Sequence, residues 1–457
     1  MTLIIVIMLL FSFLLIATGH LTGVNKAAIA MFLGTIGWVV YICWGSDFVM
    51  SQHPVQFAQY LTDHANNELA VKNFIYSNIF LNYVGKAASV VMYLLATMSI
   101  IEILNNNGCF DFISEWIRTR NSKRLLWTIT LAAFILSANL DTLTTTIVML
   151  VIMHSIIKSR RQRMLVGSAI VLAATCGGSF TVIGDPTGLI LWNNGAITAT
   201  NFSSFMVMPA IIAWVVPTLL IGRQLPSRLD IEWVVAPYRG DDTRLNRWQR
   251  MLMLLVGIGG LWFVPTFLSI TRLPAFLGAL CILSVLWVVN EAFNRKLNES
   301  DQMSRRRLPR SIQYQSIQQV LFVMGVMLGM GVVFETGVLT EVADWIDKTI
   351  NNLWVVGLIS GILSSLVDSL VIAVCDISLY DVWNAGDYAQ NGTYWKVVAY
   401  CTAIGGCLLS VGSTSGMALM SMEHIRVGWY LKNLTLKVLL GFLLGFAILW
   451  LEIYFFG

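Results

Sequence analysis

Residues 137–146 of this chain read SANLDTLTTT, and residues 364–371 read SSLVDSLV. Each segment places one aspartate, Asp141 or Asp368, in a short polar break between two apolar stretches. In both segments, hydroxyl side chains lie before and directly after the aspartate. The two segments are therefore interpreted as copies of one device in an internal repeat.

A second polar break follows each copy. Residues 177–187 read GGSFTVIGDPT, and residues 405–414 read GGCLLSVGST. The offset from Gly177 to Gly405 equals that from Gly184 to Gly412, and it differs by a single position from the offset between the two aspartates. Apolar segments that are interrupted at matching positions of two halves are typical of secondary transporters, in which unwound segments form the transport site.

The composition indicates a membrane protein. Apolar residues make up 57% of the chain and charged residues 12%, about half the charge fraction of a soluble protein. Several apolar runs reach the roughly 20 residues that a helix needs to cross a bilayer. The net charge of +4 lies in a few loops and reports orientation rather than a nucleic-acid partner. The sequence shows no P-loop, nucleophile elbow or HExxH motif, so neither an enzyme nor a bound cofactor is expected.

The segment 125–157 holds Asp141 in its middle, and each half is too short to cross a bilayer. We interpret it as a re-entrant hairpin that returns to the side from which it enters. Basic residues flank both ends and place them in the cytoplasm. They are Arg118, Arg120, Lys123 and Arg124 before the segment, and Lys158, Arg160, Arg161 and Arg163 after it.

The segment 353–380 holds Asp368 and has only Lys348 and Lys396 near its ends, so this hairpin is expected to open to the outside. Hairpins that enter from opposite faces are a property of inverted-topology repeats. The sequence therefore predicts an all-α polytopic membrane protein with an inverted-topology repeat, two re-entrant helical hairpins and two broken transmembrane helices.

The same patterns divide the chain into four parts. These are N-terminal spans and an outer loop (1–83), a first inverted repeat (84–222), cytoplasmic loops with linking spans (223–312) and a second inverted repeat (313–457). Residues 3–17 are interpreted as a retained first span because they lack the basic start and the cleavage site of a signal peptide. Residues 73–83 are expected to lie at the interface before a span at 84–104.

Asp141 and Asp368 are the leading candidates for an ion site, because a carboxylate at membrane depth costs about 2.5–3.5 kcal/mol. No Lys or Arg lies inside either hairpin segment. The alternative is that each aspartate caps the helix that follows it, and capping is compatible with ion binding. Asp185, in the GDPTG break, is a third candidate for a ligand or proton carrier, whereas the matching second break has no carboxylate.

Hydroxyl groups near the aspartates favour a hard cation, since soft metals prefer thiolate or imidazole. Each hydroxyl has the alternative of bonding back to a helix carbonyl. The predicted ligands of a transported Na⁺ or Li⁺ are Asp141, Asp185 and Asp368, with neighbouring hydroxyls from Thr142, Thr144, Thr145, Thr187, Ser369, Ser413 and Thr414. Glu335 at a span end is expected to be hydrated, and Asp376 is expected to have access to water.

Four stretches resemble the NhaD-type sodium/proton antiporters of the ion transporter superfamily. They are LDTLTTTIVM (140–149), IGDPT (183–187), VGSTSGMALM (411–420) and WYLK (429–432). The resemblance implies two hairpins, two broken helices, an elevator-like motion and a homodimer built on a scaffold domain. The family places Asp-Asn at both hairpin tips, whereas this chain has Asp141-Thr142 and Asp368-Ser369.

The sequence therefore favours a multi-pass transporter of the cell inner membrane that exchanges sodium or lithium for protons at the three aspartates. Two alternatives remain open. One is an ion-coupled transporter of a carboxylate or inorganic anion from the same superfamily, which three carboxylates would oppose electrostatically. The other is a non-transporting sensor or subunit, which the missing tip asparagines would favour.

Overall fold

The protein is a bundle of helices in a computed structural model that describes residues 2–63, 68–110, 119, 121–231, 245–298, 310–383 and 385–456. Helices of the first half are α1 (Thr2–Ala17), α2 (Gly19–Thr22), α3 (Lys26–Trp44), α4 (Ser46–Gln52), α5 (Pro54–Asp63), α6 (Glu68–Phe74), α7 (Leu81–Asn106), α8 (Ser122–Ser137), α9 (Thr142–Ile156), α10 (Arg160–Ser179), α11 (Pro186–Asn193) and α12 (Ala199–Gly222). A π-helical turn, Ile75–Phe80, joins α6 to α7.

Helices of the second half are α13 (Arg247–Leu254), α14 (Val264–Thr271), α15 (Ala275–Asn298), α16 (Arg310–Glu335), α17 (Val338–Thr349), α18 (Leu353–Leu366), α19 (Ser369–Leu379), α20 (Thr393–Gly405), α21 (Thr414–Glu423), α22 (Val427–Tyr430) and α23 (Leu436–Phe456). Three short turns accompany them: π-helical Leu255–Gly259, 3₁₀-helical Gly406–Leu408 and π-helical Leu431–Thr435. Parts of the two basic loops, 232–244 and 299–309, lie outside the described residues.

Six described helices are long and apolar enough to cross a membrane, or seven if the bent pair Arg247–Gly259 and Val264–Thr271 forms one span. The six are Lys26–Trp44, Glu68–Asn106, Ala199–Gly222, Ala275–Phe293, Ile317–Glu335 and Val427–Phe456. The prediction of an all-α membrane protein is therefore confirmed. The N-terminal helix α1 has 16 residues, fewer than the roughly 20 that span a bilayer.

The segment 73–83, for which an interfacial position is predicted, is not separated from the span that follows it. These residues belong to one helical stretch, Glu68–Asn106, which runs for 39 residues through the π turn. The polar side chains that suggested an interface, such as Asn73 and Ser77, are carried within this helix, where the Ser77 hydroxyl bonds back to the Asn73 carbonyl at 2.8 Å. The polar residues therefore interrupt the apolar pattern of the sequence, but the helix continues through them.

Both aspartate segments form two short helices joined by a break. The first pair is α8 and α9, with 16 and 15 residues, and the second is α18 and α19, with 14 and 11 residues. None of these four helices reaches the length of a spanning helix. The segments after them are also interrupted, between α10 and α11 and between α20 and α21.

Helices α3 and α16 pack closely because glycines face each other between them. A Cβ atom at Gly325 would lie 2.5 Å from the Ala30 carbonyl carbon, and one at Gly34 would lie 3.0 Å from the Gly325 carbonyl oxygen. Small residues of this kind let the backbones of membrane helices approach. The close contact holds Lys26 on α3 and Gln319 on α16. These side chains contact Asp368 and Asp141 in the region between the helices that is called the polar centre below.

Glu335 at the end of α16 is buried, so the expected hydrated carboxylate is wrong. It is 3% exposed and lies 2.7 Å from the His53 Nε2 atom. The Tyr83 hydroxyl donates to it at 2.8 Å, and the Tyr41 hydroxyl at 3.5 Å. Asp376 is also buried, at 5% exposure. These partners come from distant parts of the chain, which is why a position at a span end did not reveal them.

Candidate ion site

The first helix pair contacts the first break through backbone groups. The Thr142 amide donates to the Gly184 carbonyl at 3.1 Å, and the Thr142 hydroxyl donates to the same oxygen at 2.8 Å. On the other side of the break, the Thr181 hydroxyl donates to the Ala138 carbonyl at 2.7 Å. The tip of the helix pair and the broken segment therefore form one hydrogen-bonded unit.

The second helix pair contacts the second break in the matching way. The Ser369 amide donates to the Gly412 carbonyl at 2.8 Å. Ser369 directly follows Asp368 as Thr142 directly follows Asp141, and Gly412 has the place in the second break that Gly184 has in the first. Both copies therefore use the same contact, from the residue after the aspartate to the glycine of the break.

Asp141 is buried, at 2% exposure, and caps the N-terminus of α9. Its Oδ2 atom accepts from the Thr144 amide at 3.1 Å and from the Thr144 hydroxyl at 3.2 Å, and its Oδ1 atom accepts from the Gln319 Nε2 group at 3.2 Å. All these donors are neutral. Within the described residues, no Lys, Arg or His side chain forms an ion pair with Asp141.

Asp185 caps α11, and its Oδ2 atom accepts from the Thr187 amide at 3.0 Å. In the second break, Ser413 caps α21 through a bond from the Gly416 amide to its hydroxyl at 3.0 Å. The cap position therefore holds a carboxylate in the first break and a hydroxyl in the second.

Asp368 is fully buried and caps α19, accepting from the Leu370 amide at 3.0 Å. Its Oδ2 atom lies 3.0 Å from the Lys26 ammonium nitrogen, which also donates to the Val411 carbonyl at 2.9 Å. Neither aspartate segment contains a Lys or Arg, but a lysine from α3 contacts Asp368 from a distant part of the chain. Asp368 therefore differs from Asp141 in having a charged partner.

Several buried oxygens near these groups have no hydrogen-bond partner within the described part of the chain. They include Thr145 Oγ1, Thr146 Oγ1, Gln319 Oε1 and Ser410 Oγ. Buried polar atoms in proteins nearly always have a partner, so such oxygens suggest a place for a ligand. Thr145 lies in the first turn of α9, and Gln319 contacts Asp141, so two of them belong to the surroundings of the first aspartate.

A cavity of about 590 Å³ reaches the polar centre. Its lining includes Lys26 from α3, Gln319 from α16, Leu143 from α9 and Thr414 from α21. The cavity therefore borders the first helix pair at Leu143 and the helix after the second break at Thr414. Within the described residues, no group of three His, Cys, Asp or Glu side chains is placed to hold a metal ion.

A charged cluster lies where α9, α10 and α21 meet. Glu423 at the end of α21 is 2% exposed and accepts from the Arg163 Nε group at 2.8 and 3.0 Å. The His154 Nδ1 atom lies 3.0 Å from the same carboxylate, and Arg160 donates to the Glu423 carbonyl at 3.1 Å. The cluster ties the return helix of the first pair to the helix that follows the second break.

Replacing Glu423 by Gln is expected to lower the stability of the protein by about 3 kcal/mol, because it leaves the partly buried Arg163 without its carboxylate. The measurement is thermal unfolding of the purified protein in detergent. The double variant Arg163→Gln/Glu423→Gln removes both charges and is expected to recover part of the loss. An unchanged unfolding midpoint in the single variant would show that the cluster is not stabilising.

Sequence reasoning missed Lys26 and Gln319. Lys26 was available as a lone basic residue at the start of an apolar span, and Gln319 as an amide in an otherwise apolar helix. Polar residues in spanning segments usually face the interior of the bundle, so both positions carried a usable signal.

The sequence profile of the citrate transporter family, CitMHS, matches residues 1–379. The chain belongs to the CitMHS family. Sodium/proton antiporter 2 of Arabidopsis thaliana is 31% identical over 362 residues, which cover 79% of this chain and 84% of that protein. Sodium/proton antiporter 1 of the same plant is 30% identical over 371 residues, and the match spans only 62% of its length.

A third protein similar to this CitMHS chain is the Na(+)/H(+) antiporter NhaD of Vibrio cholerae, which is 24% identical over 379 residues. This match covers 79% of the chain and 77% of that protein. The resemblance to NhaD-type antiporters is thus confirmed. Membership of a family of transporters also agrees with the expectation that the chain is not an enzyme.

Proposed function

We propose that this CitMHS protein exchanges sodium or lithium for protons, with Asp141 and Asp185 as the carboxylates that bind the exchanged ions. The observation that carries the proposal is the surroundings of Asp141. It is buried, receives hydrogen bonds from neutral donors and forms no ion pair with a described side chain. A buried carboxylate without a counter-charge is costly, so a mobile cation or a proton must neutralise it.

Competition between the two ions couples their fluxes. A proton on Asp141 removes the charge that attracts a sodium ion, and a bound sodium ion excludes the proton. The buried oxygens of Thr145 and Gln319 support the sodium-bound form, because hard cations prefer oxygen ligands. Exchange then requires only that the site opens to the two sides of the membrane in turn.

The proposal includes the membrane arrangement inferred from the sequence. The two helix pairs act as re-entrant hairpins of an inverted repeat, and the matched contacts at Gly184 and Gly412 support this. Arg160 and Arg163 bond to His424 and Glu423, which lie in the chain between the cavity-lining residues Ser421 and Ile425. The positive-inside rule therefore assigns the end of the bundle at which the 590 Å³ cavity lies to the cytoplasm. Location in the inner membrane and assembly as a homodimer belong to the same proposal.

Citrate transport is the competing function, because the family profile carries that name. A carboxylate substrate would use the free N-termini of the interrupted helices. In this chain, however, aspartates already cap α9, α11 and α19. Lys26 is paired to one of these three aspartates, so the polar centre keeps an excess of negative charge. This charge attracts a cation and repels a citrate ion.

The test uses inside-out membrane vesicles from a host that lacks its own antiporters. A proton gradient is imposed, and sodium, lithium, potassium or citrate is added while a pH-sensitive dye reports the gradient. We expect sodium or lithium to collapse the gradient and citrate to have no effect. A response to citrate alone would replace antiport by carboxylate transport, and no response to any ion would favour a non-transporting role.

A further inference from the structure

We propose that the Lys26 ammonium group is a tethered cation that occupies, at the second hairpin, the position equivalent to the one that a mobile cation takes at the first. The inference rests on the proposed exchange function and specifies the division of labour between the two halves. Asp368 remains a cation-binding carboxylate in this proposal, but the cation that it binds belongs to the chain.

The contacts of Lys26 are those of a cation in a small oxygen site. Its nitrogen lies between the Asp368 Oδ2 atom, at 3.0 Å, and the Val411 carbonyl oxygen, at 2.9 Å. A hairpin carboxylate and a carbonyl from an unwound segment are also the ligand types that alkali cations use in broken-helix transport sites. The lysine therefore fills this position with a covalently attached charge.

The first copy has the same backbone arrangement without a charged partner. Thr142 bonds to Gly184 as Ser369 bonds to Gly412, so both tips are held alike. Where Asp368 has Lys26, Asp141 has the neutral Gln319 amide. Beside the hairpin aspartate the two copies therefore differ by one positive charge, and the first break adds the Asp185 carboxylate where the second has Ser413. Both differences leave the first copy in need of a cation from solution.

Helix stability does not account for a lysine at this place. Lys26 is the first residue of α3, where the positive end of the helix dipole disfavours a cation. Asn25 already caps the helix by accepting from the Ala27 amide at 2.9 Å. Lys26 is also 8% exposed, so its charge is largely removed from water. The ion pair with Asp368 compensates both costs and ties the lysine to the site.

Access does not explain the difference either. The cavity of about 590 Å³ is lined by both Lys26 and Gln319, so it reaches the partner side chain of each aspartate. Without the lysine charge, the Asp368 carboxylate and the Val411 carbonyl would lie behind the cavity wall that Lys26 now forms, with no positive group between them. In this proposal, the Lys26 side chain fills the cation position at Asp368, and the cation position at Asp141 stays available to an ion from solution.

The first test counts sodium ions bound to purified protein in detergent. Lys26→Gln is expected to bind one more sodium ion per chain than wild type, because Asp368 becomes available. An unchanged number in folded Lys26→Gln protein would overturn the inference and leave the proposed function intact. If wild type itself shows no saturable sodium binding, the proposed function fails and the inference fails with it.

The second test asks whether Asp368 serves as the counter-ion of Lys26 or as a ligand of the transported sodium ion. It does not depend on the folding of Lys26→Gln. Asp368→Asn leaves the Lys26 charge uncompensated, so sodium affinity is expected to fall about tenfold, the scale of one unpaired charge in a partly buried site. The double variant Lys26→Gln/Asp368→Asn removes both charges and is expected to restore the wild-type affinity. If Asp368 binds the transported ion instead, the double variant stays as weak as Asp368→Asn, and the inference is wrong.

Discussion

Asp141→Asn is expected to reduce sodium-dependent proton exchange to the level of vesicles without the protein. The amide cannot take up a proton at neutral pH and carries no charge to balance a sodium ion, so it binds neither of the exchanged ions. It has nearly the shape of the carboxylate, and its oxygen can still accept the bond from the Thr144 amide that caps α9. The loss is therefore expected without unfolding.

The measurement is the collapse of an imposed proton gradient in inside-out vesicles after addition of sodium or lithium. Glu341→Gln is the matched control, since it makes the same chemical change at an exposed position on α17 and is expected to keep full exchange. Thermal unfolding in detergent verifies that Asp141→Asn is folded. Exchange at the wild-type rate in this variant would remove Asp141 from the mechanism.

Gly184→Ala is expected to destabilise the polar centre by about 3 kcal/mol or more and to abolish exchange. A Cβ atom at this position would lie 2.5 Å from the Ser137 carbonyl oxygen and 2.7 Å from the Gly178 Cα atom. Both neighbours are backbone atoms, so no side chain can rotate away. The tip of the first helix pair must then move off the break, which also breaks the contact from Thr142 to Gly184.

Gly412→Ala is expected to behave alike in the second copy, where the Cβ atom would lie 2.6 Å from the Ser364 carbonyl oxygen and 2.6 Å from the Ser365 Cα atom. The readouts are the unfolding midpoint in detergent and exchange in vesicles. Gly85→Ala is the control, because no described group outside the local helix backbone lies within 4 Å of its Cβ position and alanine favours the helix. A stable and active Gly184→Ala protein would contradict the tight contact between tip and break.

Both interruptions of each half could be predicted from the sequence, because local chemistry produces them. A single aspartate followed by hydroxyl residues ends one apolar helix and caps the next, and the structure has α9 and α19 beginning directly after Asp141 and Asp368. Glycine pairs and a proline mark the second interruptions in the same way. Such signals act over a few residues, so one sequence is sufficient to read them.

The partners of the aspartates could not be predicted, because they depend on how the helices pack. Lys26 meets Asp368 across 342 residues, and Gln319 meets Asp141 across 178. No periodicity or motif relates such distant positions. The glycine contact between α3 and α16 places both partners, and glycines are frequent in membrane helices for many reasons. The asymmetry of the partners, a lysine at Asp368 and a neutral amide at Asp141, therefore emerged only from the structure.

The close contact of α3 with α16 through Gly34 and Gly325 also has a consequence for cooperativity. This helix pair holds Lys26 against one half of the repeat and Gln319 against the other, so a shift of either helix changes the surroundings of both aspartates. Under the proposed exchange, thermodynamic linkage would make such an effect reciprocal: an ion at Asp141 would alter the strength of the ion pair at Asp368, and the ion pair would alter the affinity of Asp141 by the same factor. One pair of helices thus contacts two carboxylates from opposite halves of the chain and provides the structural connection between them.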